Sequence, residues 1–237
     1  MNKEQLDTYK QFATDKLDVD FHTLDLLVIA LTHRSYVNEH KKSTSEHNER
    51  LEFLGDAVLE LVATDFLFAR YPDQPEGILT NWRAALVRTE SIGDAGDLLG
   101  FLPLIRMSKG EKRGSERAHQ VIMADAFEAV IGAIYLDQGY SKASEFINRN
   151  ILSKMENILS EGSWRDPKSH LQELAQRTDN HTPVYKVLSE DGPDHDKTFT
   201  VGAFVGNTLK GTGTGHSKQE AQTQAAQQAI RKYEKKS

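Results

Sequence analysis

Apolar residues recur every three to four positions up to Leu159, then alternate from Pro183 onward, and this change of period limits the fold more than any other feature. A helix face repeats at 3.6 residues and a strand face at two, so one stretch cannot serve both. Leu6, Tyr9, Phe12 and Ala13, then Leu24, Leu27, Val28 and Leu31, read as helical packing from Asn2 to about Val37. Further helices are predicted over Leu79 to Leu99, ending at Gly100, and over Ser141 to Leu159. Glu161-Gly162-Ser163-Trp164-Arg165-Asp166-Pro167 reads as a linker. Beyond it come a helix (Lys168 to Arg177), strands at Pro183 to Leu188, Phe199 to Val205 and around Thr208 to Gly213, and a last helix from Ser217 to Tyr233. Ser217 and Glu220 have the spacing of a capping box. The expected organisation is an all-α domain over 1–160, a linker over 161–167 and a small α+β domain of order α-β-β-β-α over 168–237.

Within the helical part, Asn48 to Glu60 carries an unusual density of acids, with Asn48 as the expected N-cap. At about 100° per residue from Glu49, residues Glu52, Asp56 and Glu60 fall near 300°, 340° and 20°, while Leu54, Ala57, Val58 and Leu61 occupy about 80° to 180°. The wheel predicts a core face opposite a carboxylate stripe. Like charges three and four apart repel, so such a stripe invites a cation, although alone it reads more readily as a solvated face. A second acidic helix, Met123 to Leu136, strengthens the metal interpretation. Asp125 and Glu128 share a face beside the small Ala129 and Gly132, which permit close helix approach, and Phe127, Val130, Ile131 and Ile134 turn the other way. Two helices that each offer inward acids match the carboxylate metal sites of helical proteins.

Composition narrows the chemistry. The 237 residues contain no cysteine, so any ion is held by oxygen or imidazole, and hard cations such as Mg²⁺ are the natural candidates. The start of the chain has no apolar signal-like run, and nothing approaches the roughly 18 apolar residues of a membrane span, so a cytoplasmic protein without membrane contact is expected. The net charge of −6 is uneven: residues 164–237 hold 11 Lys/Arg against 9 Asp/Glu, and the remainder 18 against 26. Between Arg106 and Gln120, five basic residues (Arg106, Lys109, Lys112, Arg113, Arg117) fit either a loop near a phosphate backbone or a solvated loop. His33 reads as a hydrogen-bonded structural histidine. Gly211-Thr212-Gly213-Thr214-Gly215-His216, just before a helix that starts with Lys218, reads as a phosphate-binding glycine-rich turn.

With these stretches in hand, the sequence resembles the bacterial ribonuclease III family over nearly its whole length. Asn48 to Leu59 is similar to the family's signature stretch and Asp125 to Ala129 to its second acidic motif. Lys168 to Glu173, Gly192 to Lys197 and Gly211 to Lys218 are similar to a double-stranded-RNA-binding domain. The resemblance implies an endoribonuclease that hydrolyses double-stranded RNA as a homodimer, leaves 5′-phosphate and 3′-hydroxyl ends with short 3′ overhangs, and processes rRNA and mRNA precursors. By motif position it implies Glu52, Asp56, Asp125 and Glu128 as catalytic ligands of Mg²⁺, with Mn²⁺ as a substitute, and Glu49 and Glu76 as supporting acids. It assigns Gln172, Glu173, Pro193, His195, Ser217 and Lys218 to RNA.

Phe53 falls near 40° on the wheel, outside the apolar arc. Burial under a neighbouring helix would explain it; the resemblance implies entry into a pocket of the partner across the dimer axis. Two departures from the family pattern stand beside Lys218: Gln219 where a second lysine is usual, and His216 where arginine is frequent. Fewer phosphate contacts predict weaker, less salt-sensitive RNA binding. Competing interpretations are an idle RNA-binding scaffold, from which some of the four acids would be missing, and a helical enzyme for small phosphorylated substrates, which leaves the tail unexplained.

Overall fold

A computed structural model describes residues 1–40, 46–162, 164–193 and 197–234. The chain divides into two compact units, Met1–Trp164 and Arg165–Ser237. The first consists of α1 (Lys3–Phe12), α2 (Leu24–Ala30), α3 (Arg34–Glu39), α4 (Glu49–Arg70), α5 (Glu76–Leu86), α6 (Thr89–Leu99), α7 (Glu116–Asn150) and α8 (Met155–Glu161). The second consists of α9 (Pro167–Asp179), β1 (Pro183–Asp191), β2 (Thr198–Val205), β3 (Thr208–Gly215) and α10 (Lys218–Glu234). Helices then a helix-flanked three-stranded sheet is the order the change of period predicts.

Several predicted helices are subdivided. The stretch Leu79 to Leu99 breaks where Val87 leaves helical geometry (φ −102°, ψ 14°) and Arg88 is extended (ψ 148°), giving α5 and α6. Helix α7 is kinked at Gly139, whose φ of 81° and ψ of −177° suit a residue without a Cβ. Asn48 lies at the head of α4 but its side chain does not cap it; it is 1% exposed and its Nδ2 has no hydrogen-bond partner. Its main chain does the work: Asn48 N donates to the Thr32 carbonyl (2.9 Å), and its own carbonyl accepts from Leu51 N and Glu52 N (2.8 and 2.9 Å).

The core of the helical unit is the crossing of α4 and α7. A Cβ on Gly55 would overlap the Glu128 carbonyl, and one on Gly132 would overlap the Leu51 carbonyl, so the two backbones touch. Phe127, Val130, Ile131 and Ile134 are completely buried around this crossing. By length and composition the stretch Glu116–Ser160 could cross a membrane, but 61% of its most apolar 18-residue window is buried inside the unit. On α4 the buried face is Leu51, Gly55, Val58, Leu59 and Val62, rotated from the predicted arc. Leu61, placed in the core by the wheel, is 57% exposed, as are Phe53 (81%) and Phe68 (74%). Helix α4 has two apolar arcs, and the wheel cannot tell which one meets the chain's own core.

In the second unit β1, β2 and β3 form an antiparallel sheet in that order, with Val187 opposite Val201 and Gly202 opposite Thr212. Leu171 and Ala175 of α9 and Ala221, Ala225 and Ala229 of α10 pack with Val201 and Ala203 into its core. The glycine-rich run is not a turn. Gly211, Gly213 and Gly215 are alternate residues of β3, where a Cβ on the first two would strike the α10 backbone around Ala225 and one on the third would strike Glu220. These glycines serve strand-to-helix packing.

Candidate active site

The α4–α7 crossing brings acids of both helices together. Glu52 precedes Gly55 by one turn on α4, while Glu128, whose carbonyl Gly55 touches, lies one turn from Asp125 on α7. Carboxylate oxygens of Glu52, Asp125 and Glu128 lie within 4.8 Å of one another, all three side chains partly buried. Burial raises the pKa of Glu52 to about 7, and the neighbouring charges of Asp125, Glu49 and Asp56 add to the shift. Burial likewise raises Glu128 to about 8, with Asp56, Glu52, Asp125 and Glu60 contributing. Asp125 is raised by burial, which His33 opposes and Glu49 reinforces. Without a counter-ion such a group keeps protons near neutrality.

Asp56 is exposed and outside the close trio, but its charge is the largest electrostatic contributor at Glu128, so it borders the same site. Glu49 borders it too, held by Arg34 Nη1 (3.2 Å) and His47 Nδ1 (3.8 Å). Glu60 is paired with Arg83 (2.9 Å) at the far end of the stripe. Glu76 lies on the first turn of α5 and accepts from Thr80 Oγ1 (2.9 Å), outside the trio. His33 is the hydrogen-bonded histidine that the sequence suggests, accepting from Ser35 N (3.3 Å), and it also lies near enough to influence Asp125. Its main-chain N–H donates to the Arg106 carbonyl (2.9 Å), its Nδ1 lies 2.7 Å from Ser35 Oγ, and it opposes the upward shift of Asp125. No spacing rule links residues 33 and 125, so only the fold reveals it. Arg106 itself is engaged over the Tyr36 ring (4.2 Å) and with Thr32 Oγ1 (3.3 Å), so it does not extend from the basic stretch.

On the second unit, Gln172 and Glu173 are exposed on α9 beside a shallow hollow with Ser169, Gln176 and Arg177. Pro193 is exposed after β1, and His195 lies outside the described residues. Ser217 Oγ accepts from Glu220 N (3.1 Å), and Glu220 in turn accepts from His216 N (2.9 Å), so α10 is capped as the spacing predicts, with the return bond one residue earlier. Lys218 follows directly, its Nζ 3.1 Å from Glu190 Oε1.

A family model described as Ribonuclease-III-like matches residues 24–155, and one described as a double-stranded RNA binding motif matches residues 167–233. The chain belongs to the ribonuclease III family. The Ribonuclease 3 of Bacillus cereus (strain G9842) is 43% identical over 221 residues, covering 92% of this chain and 89% of that protein. The Ribonuclease 3 of Bacillus velezensis is 42% identical over 235 residues, covering 98% and 92%. Among solved structures, the nuclease domain of ribonuclease III from Campylobacter jejuni is 37% identical, with a TM-score of 0.53, over 63% of this chain and 98% of that one.

As a member of the ribonuclease III family the chain is an endoribonuclease, and its second unit is a double-stranded-RNA-binding domain. The acid trio fits a divalent cation by donor chemistry. It offers only oxygen ligands, from three side chains on two rigid helices, and its members resist sharing their negative charge until a cation replaces their protons.

Proposed function

We propose that the protein cleaves double-stranded RNA with Mg²⁺, or Mn²⁺ in its place, held by Glu52, Asp56, Asp125 and Glu128. The observation that carries this is the approach of Glu52, Asp125 and Glu128 to within 4.8 Å without a basic partner in an ion pair among the described residues. Held by these four acids, a divalent ion would supply activation of a water and stabilisation of the departing 3′ oxygen, the chemistry that would leave 5′-phosphate and 3′-hydroxyl ends. The protein's part is to release the protons of Glu52 and Glu128 at working pH and to fix carboxylate spacing through the Gly55–Glu128 contact. Glu49, fastened by Arg34, keeps negative potential on Asp125 and Glu52, and Glu76 supports the RNA strand from α5.

RNA is held by shape. Gln172 and Glu173 meet one minor groove, the Pro193 to His195 segment the next, and Ser217 and Lys218 the intervening phosphates. The working form is a homodimer in which Phe53 enters a partner's groove lined by Leu26, Ile29, Leu54 and Leu136, and the uncovered Leu61 and Phe68 extend that contact. The described region of dimer formation in the Campylobacter jejuni nuclease domain supports a dimer. The substrates are rRNA and mRNA precursors in the cytoplasm, consistent with the family.

The test is cleavage of a perfect RNA duplex with and without Mg²⁺. The intact protein should cut only with the metal, and Glu128→Gln should lose at least about a hundredfold in rate while still binding the duplex, since one ligand of the charge-stabilising ion is gone. Cutting by the variant at the parental rate refutes the ligand assignment.

A further inference from the structure

Lys218 is the only lysine or arginine in the first turn of α10, where Gln219, Glu220 and Ala221 follow it. Its Nζ is 3.1 Å from Glu190 Oε1, close to the end of β1, and 5.3 Å from the centre of the Phe199 ring on β2. The pair is open to solvent, with Lys218 55% and Glu190 39% exposed. Exposed ion pairs are weak and screened by salt. A phosphate diester on a charged duplex competes well against one solvated carboxylate, and the Phe199 face keeps the ammonium in place while it changes partner.

We propose that Glu190 is a built-in counter-ion of Lys218 that competes with RNA phosphate and so lowers the affinity of the binding domain for duplex RNA. In the free protein it occupies the lysine, and a phosphate must displace it to make the contact. A second carboxylate works in the same place, since Glu220 takes the His216 N–H that an anion would otherwise meet at this helix start. The proposal rests on the assignment of Lys218 to the phosphates made above. The opposite role, in which Glu190 holds Lys218 ready for RNA, predicts an effect of opposite sign.

The experiment titrates a duplex longer than the roughly 16 bp one such domain spans into the full-length protein, in a chelator so that no strand is cut, over a range of salt. The variants are Glu190→Gln, Lys218→Ala and the double. Glu190→Gln should tighten binding about two- to fivefold and steepen the dependence of log affinity on log salt by up to about 0.9, the share of one phosphate contact. Lys218→Ala should weaken binding, and in its background Glu190→Gln should lose most of its effect. Weaker or unchanged binding by Glu190→Gln, where Lys218→Ala does weaken it, overturns the counter-ion and leaves the lysine's role standing. Equal tightening with and without Lys218 also overturns it, as a general charge effect. If Lys218→Ala changes neither affinity nor slope, the phosphate assignment fails and the counter-ion with it.

Discussion

Two groups of charges in this chain, one in each unit, are handled in opposite ways. In the helical unit Glu52, Asp125 and Glu128 crowd together on two touching helices, with no ion-pair partner among the described residues. In the RNA-binding unit Lys218 is paired with Glu190 and Lys210 with Asp179 (3.1 Å each). An unsatisfied cluster has a strong reason to take up a cation, because binding relieves repulsion already present in the fold. A satisfied lysine has less to gain from a phosphate. On the function proposed above, the first suits a site that holds its ion and the second a surface that releases its product.

Both units also rely on a glycine to bring backbones together, so the contrast can be broken at matched positions. Gly55→Ala should be the most damaging change: its Cβ overlaps the Glu128 carbonyl, which forces α4 from α7 at a cost of about 3 kcal/mol, lowers Tm by roughly 6–12 °C and removes cleavage. Gly211→Ala meets the Ala225 carbonyl in the same manner, but there calorimetry should show only the RNA-binding unit melting early while metal-dependent stabilisation persists. If both variants lose the two properties together, charge and packing are not partitioned between the units as described.

A smaller effect is expected from pH. Glu52 and Glu128 have folded-state pKa values of about 7 and about 8, above their ordinary 4.5. Their contribution to stability is complete below about pH 4.5 and is lost as pH rises through 7 and 8. Melting of the metal-free protein should therefore fall between pH 6 and 9 by on the order of 2 kcal/mol, about 4–8 °C. Glu128→Gln or saturating Mg²⁺ should flatten that decline. A decline undiminished in Glu128→Gln would place its origin outside that residue and its coupling to the cluster. Smallest for the single chain is Phe53→Ala, since this ring is 81% exposed and supports little of its own unit. It should leave monomer melting nearly unchanged and shift sedimentation at low concentration toward the monomer; unchanged sedimentation would remove Phe53 from the interface.

The order of helices before a helix-flanked sheet was legible because the shift from helical to alternating spacing is a property of neighbouring residues. The sequence also made the acids visible, since Glu52 and Asp56, and Asp125 and Glu128, each recur at helical intervals. What it could not supply depended on contacts distant in the chain. Leu86-Val87-Arg88 contains no proline or glycine, yet the helix breaks there. Leu61 belonged to an apolar arc on the wheel and is nevertheless exposed. His33 reaches Asp125 only through the fold. The glycines of β3 had the right signal, an interval of two, but nearness to a helix start suggested a phosphate turn instead.

The contact of Gly55 with the Glu128 carbonyl has a consequence for ion choice. The separation of the α4 and α7 backbones at the crossing is set by main chain against main chain, through Gly55 at the Glu128 carbonyl and Gly132 at the Leu51 carbonyl. Mg²⁺ needs oxygens at about 2.0–2.1 Å and Ca²⁺ at about 2.3–2.6 Å in a larger shell. For the divalent ion proposed above, the base from which Glu52, Asp125 and Glu128 reach is thus fixed by two residues with no side chain, and parting the helices would widen the site toward the larger of these ions.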